Sequence, residues 1–147
     1  MTSSIVRSDI ELAARLRPVL VRMARRLRQE SGTDLSPSLA TALATIDRRG
    51  PLTPSGLAEI ERVRRPTATR MVARLEAKGL VLRTTDPGDG RVSLVSTSPA
   101  GSALLKKIRG RKNAYLARRL RELSDDEAAD LERAAAILER LLEEERA

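Results

Sequence analysis

The chain has 147 residues, with 28 Lys and Arg against 20 Asp and Glu for a formal charge of +8, no His, Cys, Trp or Phe, and Tyr115 as its one aromatic residue. Without Cys and His there are no disulfides, thiol switches, thiolate metal sites, ordinary zinc ligands or triad bases, so most familiar enzyme chemistries have no candidate residues, and no metal site is expected. One tyrosine equally cannot form a stacking platform for single-stranded nucleic acid.

From Ser8 to about Gln29, Leu12, Leu16, Val19, Leu20, Met23 and Leu27 recur at spacings of three and four, the period of an amphipathic helix. Ser31, Gly32 and Thr33 end it. Ser36 followed by Pro37 supplies an N-cap and a first-turn proline for a second helix, with Leu39, Leu43 and Ile46 inward and Gly50 as its stop. Thr53-Pro54 repeats the signal for a short third helix carrying Leu57, Ala58 and Ile60. Pro66 opens a fourth with Ala68, Met71, Val72 and Leu75 on its apolar stripe and Gly79 at its end. The period then changes from 3.6 to 2. Leu80 to Thr85 and Val92 to Thr97 are short β-branched runs, and the turn residues Asp86 to Gly90 between them predict a hairpin with an exposed loop. Ser98-Pro99 opens a long fifth helix through Leu104, Ile108, Tyr115, Leu116 and Leu120. Ser124 to Glu127 matches a capping box for a last helix with Leu131, Ala135, Leu138 and Leu142.

The expected fold is mainly α with a small β-hairpin, an α+β class. A length near 150 residues and 41% hydrophobic content suffice for one aliphatic core. The longest uncharged stretch, Val92 to Leu105, is rich in Ser and Thr and falls short of the roughly 18 apolar residues a membrane helix needs. The N-terminus shows no signal-peptide run, so cytoplasmic residence without a membrane partner is expected. Charge is partitioned along the chain: residues 92–121 carry +8 and residues 122–147 carry −7. A basic protein whose acid is segregated at one end is suited to present a face to a polyanion, although solvated helix faces explain the count as well.

Two short helices, a tight turn and a hairpin are the outline of a winged helix-turn-helix. On the fourth helix the stripe opposite the apolar one centres on Pro66, Arg70, Ala73 and Ala77, with Thr69 and Arg74 flanking it. Such side chains suit a major groove: Arg pairs bidentately with guanine, Thr reaches bases or phosphates, and Ala permits close approach. Arg64 and Arg65 lie near the helix start, where the dipole and free amides favour phosphate. In the hairpin loop, Asp89-Gly90-Arg91 would project an arginine at the tip, with Asp89 holding its guanidinium, toward a narrow minor groove. Each of these residues also has an ordinary reading as solvated surface.

The segments Leu35-Ser36-Pro37, Gly50 to Ala58, Pro66 to Arg70, Leu75-Glu76-Ala77-Lys78-Gly79-Leu80-Val81 and Asp86-Pro87-Gly88-Asp89-Gly90-Arg91 resemble the MarR family of bacterial transcription regulators. The Leu-Glu-x-x-Gly-Leu-Val exit and the Asp-x-x-Asp-x-Arg wing carry the resemblance most specifically. It implies a homodimer binding a pseudo-palindromic operator in double-stranded DNA, usually as a repressor. Residues 34–97 would then form the DNA-binding domain, and residues 1–33 and 98–147 a helical dimerisation region. Arg65, Pro66, Thr67, Thr69, Arg70 and Arg74 would face the major groove, and Asp89, Gly90 and Arg91 the minor groove. Ser36, Ser38, Thr53, Ser55 and Arg64 would contact phosphates.

Leu12, Leu16, Leu120, Leu131, Leu138 and Leu142 are candidates for the dimer interface, since neither end helix has an obvious partner in the small core. Packing within one subunit is the alternative. The family responds to small organic or aromatic anions, thiol oxidation or metals. Without Cys and His this chain is left with an organic ligand or none. A pocket between the first, second and fifth helices would be lined by aliphatic groups with Arg15, Arg22 or Tyr115, and no cofactor is expected. A competing reading is an architectural protein coating DNA without strong sequence preference, which 24 Arg against 4 Lys and the basic run Lys106 to Lys112 would suit.

Overall fold

The computed structural model describes residues 2–144. Along them run α1 (Thr2–Glu30), α2 (Pro37–Arg49), α3 (Pro54–Glu61), α4 (Arg65–Ala77), β1 (Val81–Asp86), β2 (Asp89–Thr97), α5 (Pro99–Leu120) and α6 (Asp125–Glu144). This is the expected order, and the architecture is a winged helix-turn-helix with long helices at both ends. No helix among the described residues is long and apolar enough to cross a membrane.

The helix starts are set by the side chains that the sequence offers. Ser36 Oγ accepts from the Leu39 amide at 3.3 Å, Thr53 Oγ1 from Gly56 at 2.9 Å, and Ser98 Oγ from Gly101 at 3.0 Å. Each satisfies one of the amides a helix start leaves unpaired. At α6 the box is reciprocal: Glu127 N donates to Ser124 Oγ, while Ser124 N donates to Glu127 Oε2. The α4 exit is closed by Gly79 at φ +72°, a left-handed position that glycine occupies without Cβ strain.

The strands pair antiparallel from Val81↔Thr97 to Thr85↔Ser93, and Leu52 adds a bridge to Val95 on the other side of β2. The hairpin turn is tighter than the five turn residues imply. Asp86 pairs with Asp89, leaving only Pro87 and Gly88 as the tip, and Asp86 Oδ1 accepts from the Gly88 amide at 2.8 Å. Between the Thr85↔Ser93 and Asp86↔Asp89 pairs, β2 holds Gly90, Arg91 and Val92 as extra residues, a bulge in the wing.

The core is aliphatic throughout. Leu43, Ile46, Leu57, Val72, Leu75, Val81 and Val95 are fully buried, and Leu105 brings the first half of α5 into the same cluster. A buried Thr45 hydroxyl on α2 donates to the Glu61 carboxylate at the end of α3. Arg111 of α5 donates to the Gly32 carbonyl at 2.7 Å and so ties down the end of α1.

A joint connects α4 to α5. The Ser98 hydroxyl that caps α5 also donates to the Gly79 carbonyl at 2.6 Å, and the Ser98 amide donates to the Leu80 carbonyl at 3.0 Å. Gly101 permits this approach, because a Cβ there would lie 2.1 Å from the Leu80 carbonyl oxygen. α6, by contrast, meets the rest of its own chain only at a fringe. Leu12, Leu120, Leu131 and Leu142 are exposed and Leu16 and Leu138 half-buried, while Ile10, Val19, Ile137 and Leu141 extend the same apolar surface.

The joint yields a test. In an ordinary helix Gly→Ala is stabilising, but Gly101→Ala should cost about 1–3 kcal/mol through forced displacement of backbone. Thermal unfolding should therefore show a Tm several degrees lower, and an unchanged or raised Tm would contradict the joint.

Candidate nucleic-acid interface

The rotation of α4 is fixed by its buried side. Ala68, Val72 and Leu75 have no exposed surface and Met71 little, so Pro66, Thr69, Arg70, Ala73, Arg74 and Ala77 all face solvent, with Thr67 half-buried. The outward set is the one that helical spacing gives. Arg64 occupies the N-cap with extended backbone and no side-chain cap bond, so the first amides of α4 keep no side-chain acceptor there.

Arg65 is held in a way that spacing did not suggest. Its Nε and Nη2 donate to Ser55 Oγ at 2.9 and 2.6 Å, linking the first turn of α4 to the first turn of α3. Ser55 and Arg65 therefore form one unit. The Ser36 and Thr53 hydroxyls act as helix caps, with Ser38 Oγ 3.4 Å from Ser36 Oγ. Between α3 and α4, Arg62 adopts φ +54°, a left-handed position where glycine or asparagine is usual. No local signal marks it, because the residue itself is an arginine.

The wing departs from expectation in two respects. Arg91 is exposed within the β2 bulge and not at the tip, which is Pro87-Gly88. Asp89 does not hold the guanidinium: its Oδ1 accepts from the Arg91 backbone amide at 3.0 Å, and no ion pair among the described residues includes Arg91. A carboxylate two residues upstream reaches the amide of a turn more readily than a long side chain that extends into water. The Arg91 guanidinium is thus left free. The wing is instead tied to α4 by Arg83 of β1, whose Nε lies 2.7 Å from Glu76 Oε2.

A cleft of about 520 Å³ lies between α1, α2 and α5, where the pocket was expected. Its lining differs from expectation. Arg15, Arg22 and Tyr115 do not line it; the cations are Arg25, Arg28, Arg48, Arg109 and Lys112 around an apolar floor that includes Leu35, Leu105 and Ile108. The helices converge at the last two turns of α1, whereas Arg15 and Arg22 stand further back along it. Tyr115 packs under the Arg26 guanidinium, 5.3 Å from ring centroid to Cζ. Contact with Tyr115, and then the charge of Glu30 at 2.8 Å, push the Arg26 pKa further up.

Residues 35–93 match the model of the MarR family. The chain is 33% identical to the multiple antibiotic resistance protein MarR of Salmonella typhimurium over 69% of its own length and 72% of that protein. The chain belongs to the MarR family. An HTH-type transcriptional regulator of Mycobacterium leprae is 39% identical over 93% of this chain and 96% of its own. The crystal structure of a transcriptional regulator from Pseudomonas aeruginosa superposes with a TM-score of 0.83 at 36% identity, covering 92% of this chain and 96% of that one. MarR-family proteins are DNA-binding transcription regulators.

Proposed function

We propose that this MarR-family regulator is a homodimeric repressor that binds a pseudo-palindromic operator. Residues 34–97 would read DNA, and residues 1–33 and 98–147 would join the subunits. The observation that carries the reading is the α4 face: Thr69, Arg70, Ala73 and Arg74 project from a helix whose opposite stripe is buried. Neither Arg70 nor Arg74 has an ion-pair partner among the described residues. On this reading Arg65, Pro66, Thr67, Thr69, Arg70 and Arg74 face the major groove, and the free Arg91 enters the minor groove beside Asp89 and Gly90. Ser36, Ser38, Thr53, Ser55 and Arg64 approach phosphates. Apolar residues left exposed on α1, α5 and α6 support the dimer, because exposed apolar patches larger than a few hundred Å² are rare on monomers.

We infer further that a small organic anion occupies the cleft and releases the operator. Five cations line it, of which Arg109 also lies 3.6 Å from Asp47 Oδ2, and an Arg pair can hold a carboxylate bidentately. α2 borders this cleft and also packs on α3 and α4, so a ligand there bears on the reading helix.

Footprinting tests the repressor reading: a discrete protected palindrome supports it, whereas uniform coating with a steep salt slope favours the architectural alternative. Arg91→Ala and Arg70→Ala should each weaken operator binding by about 1 kcal/mol or more, with Arg70→Ala also relaxing base preference. Unchanged affinity in both variants would overturn the docking.

For the cleft, benzoate and other small carboxylates titrated into the operator complex should lower affinity in the wild type and far less in Arg28→Ala/Arg109→Ala. An absence of calorimetric binding across such a panel would overturn the ligand site.

A further inference from the structure

The structure removes Arg15 and Arg22 from the cleft and leaves them exposed without an acidic partner among the described residues. They are seven residues apart on α1, so they share one edge of the helix beside the apolar stripe of Leu12, Leu16 and Val19. α6 carries the opposite pattern. Glu132, Glu139 and Glu143 fall seven and four residues apart on one exposed stripe, which flanks the apolar face of Leu131, Leu138 and Leu142. Among the described residues, the ion pair on α6 is Asp130 with Arg133, so this stripe is not neutralised locally.

The two stripes do not meet within one chain, because α6 barely contacts the other elements of its own subunit. Residues 122–147 carry −7, so a like pairing of α6 with a second α6 would bring carboxylates together, whereas residues 2–30 of α1 carry seven Arg against three acids. Opposite charges beside apolar seams are the arrangement by which facing helices choose partner and register.

Resting on the homodimer reading above, we propose that the Glu132–Glu139–Glu143 edge of α6 lies against the Arg15–Arg22 edge of α1 in the second copy of the chain. The apolar faces meet beside it, and two-fold symmetry makes the contact twice. Arg15 and Arg22 are then selectivity residues for the subunit interface, and dimer strength depends on ionic strength.

Sedimentation equilibrium of the full chain at low and high salt tests this. The wild-type dimer constant should weaken about tenfold between 50 and 500 mM salt, since exposed pairs of modest individual strength act together and are screened. Glu132→Lys/Glu139→Lys should weaken the dimer about tenfold at low salt and flatten the salt dependence. Adding Arg15→Glu/Arg22→Glu to that variant should restore both, which a merely misfolded interface would not allow. Wild-type dimers of equal strength at every salt, or a fourfold variant no better than the double, would overturn the charge pairing while leaving the homodimer standing. A monomer at every salt would instead overturn the homodimer and the pairing with it.

Discussion

The outward face of α4 depends on a stripe of four side chains on its other side. Ala68, Val72 and Leu75 are removed from water entirely, and Met71 almost so. Burying each of the larger ones is worth roughly 1.5–3 kcal/mol. Turning the helix by one residue, about 100°, would exchange that gain for a buried guanidinium. The cost is large enough to fix the rotation, and the rotation decides that arginines and threonines face outward. Ser98 and Gly101 then lock the exit of α4 against the start of α5. The end of α4 and the start of α5 are thereby joined through hydrogen bonds and backbone contact.

Charge does the complementary work. Arginine outnumbers lysine 24 to 4, and arginine stays ionised at any physiological pH, so the electrostatics respond to salt and to partners more than to protons. Three basic groups have distinct surroundings: Arg70, Arg74 and Arg91 stand free around the α4 face and wing, five cations ring the cleft, and Arg15 and Arg22 edge α1. Two arginines join elements: Arg65, itself on the proposed groove face, bonds Ser55 and links α3 to α4, and Arg83 pairs with Glu76 and links β1 to α4. The same residue type thus both presents and braces the site.

Local signals made the element order legible. Ser36-Pro37, Thr53-Pro54, Ser98-Pro99 and the Ser124–Glu127 box each announce a helix start through one side-chain bond, and that bond needs only a few neighbouring residues. What escaped depends on contacts distant in sequence. Gly101 gains its meaning from the Leu80 carbonyl twenty-one residues earlier. The expected helices do border the cleft, yet periodicity gives the face of α1 and not the height at which α2 and α5 meet it, so Arg25 and Arg28 line it where spacing points to Arg15 and Arg22. In the wing, five consecutive turn formers hide which two make the turn, and the Asp86 bond to the Gly88 amide decides it.

The absence of cysteine allows the proposed docking of each subunit's α4 in a major groove to be probed at one atom. Thr69→Cys carrying an iron chelate generates hydroxyl radicals from the middle of the outward face. Two clusters of strand cleavage are expected about one helical turn apart, roughly 34–36 Å, each centred on the major groove of a half-site. A single cluster, or cuts spread evenly along the duplex, would contradict it.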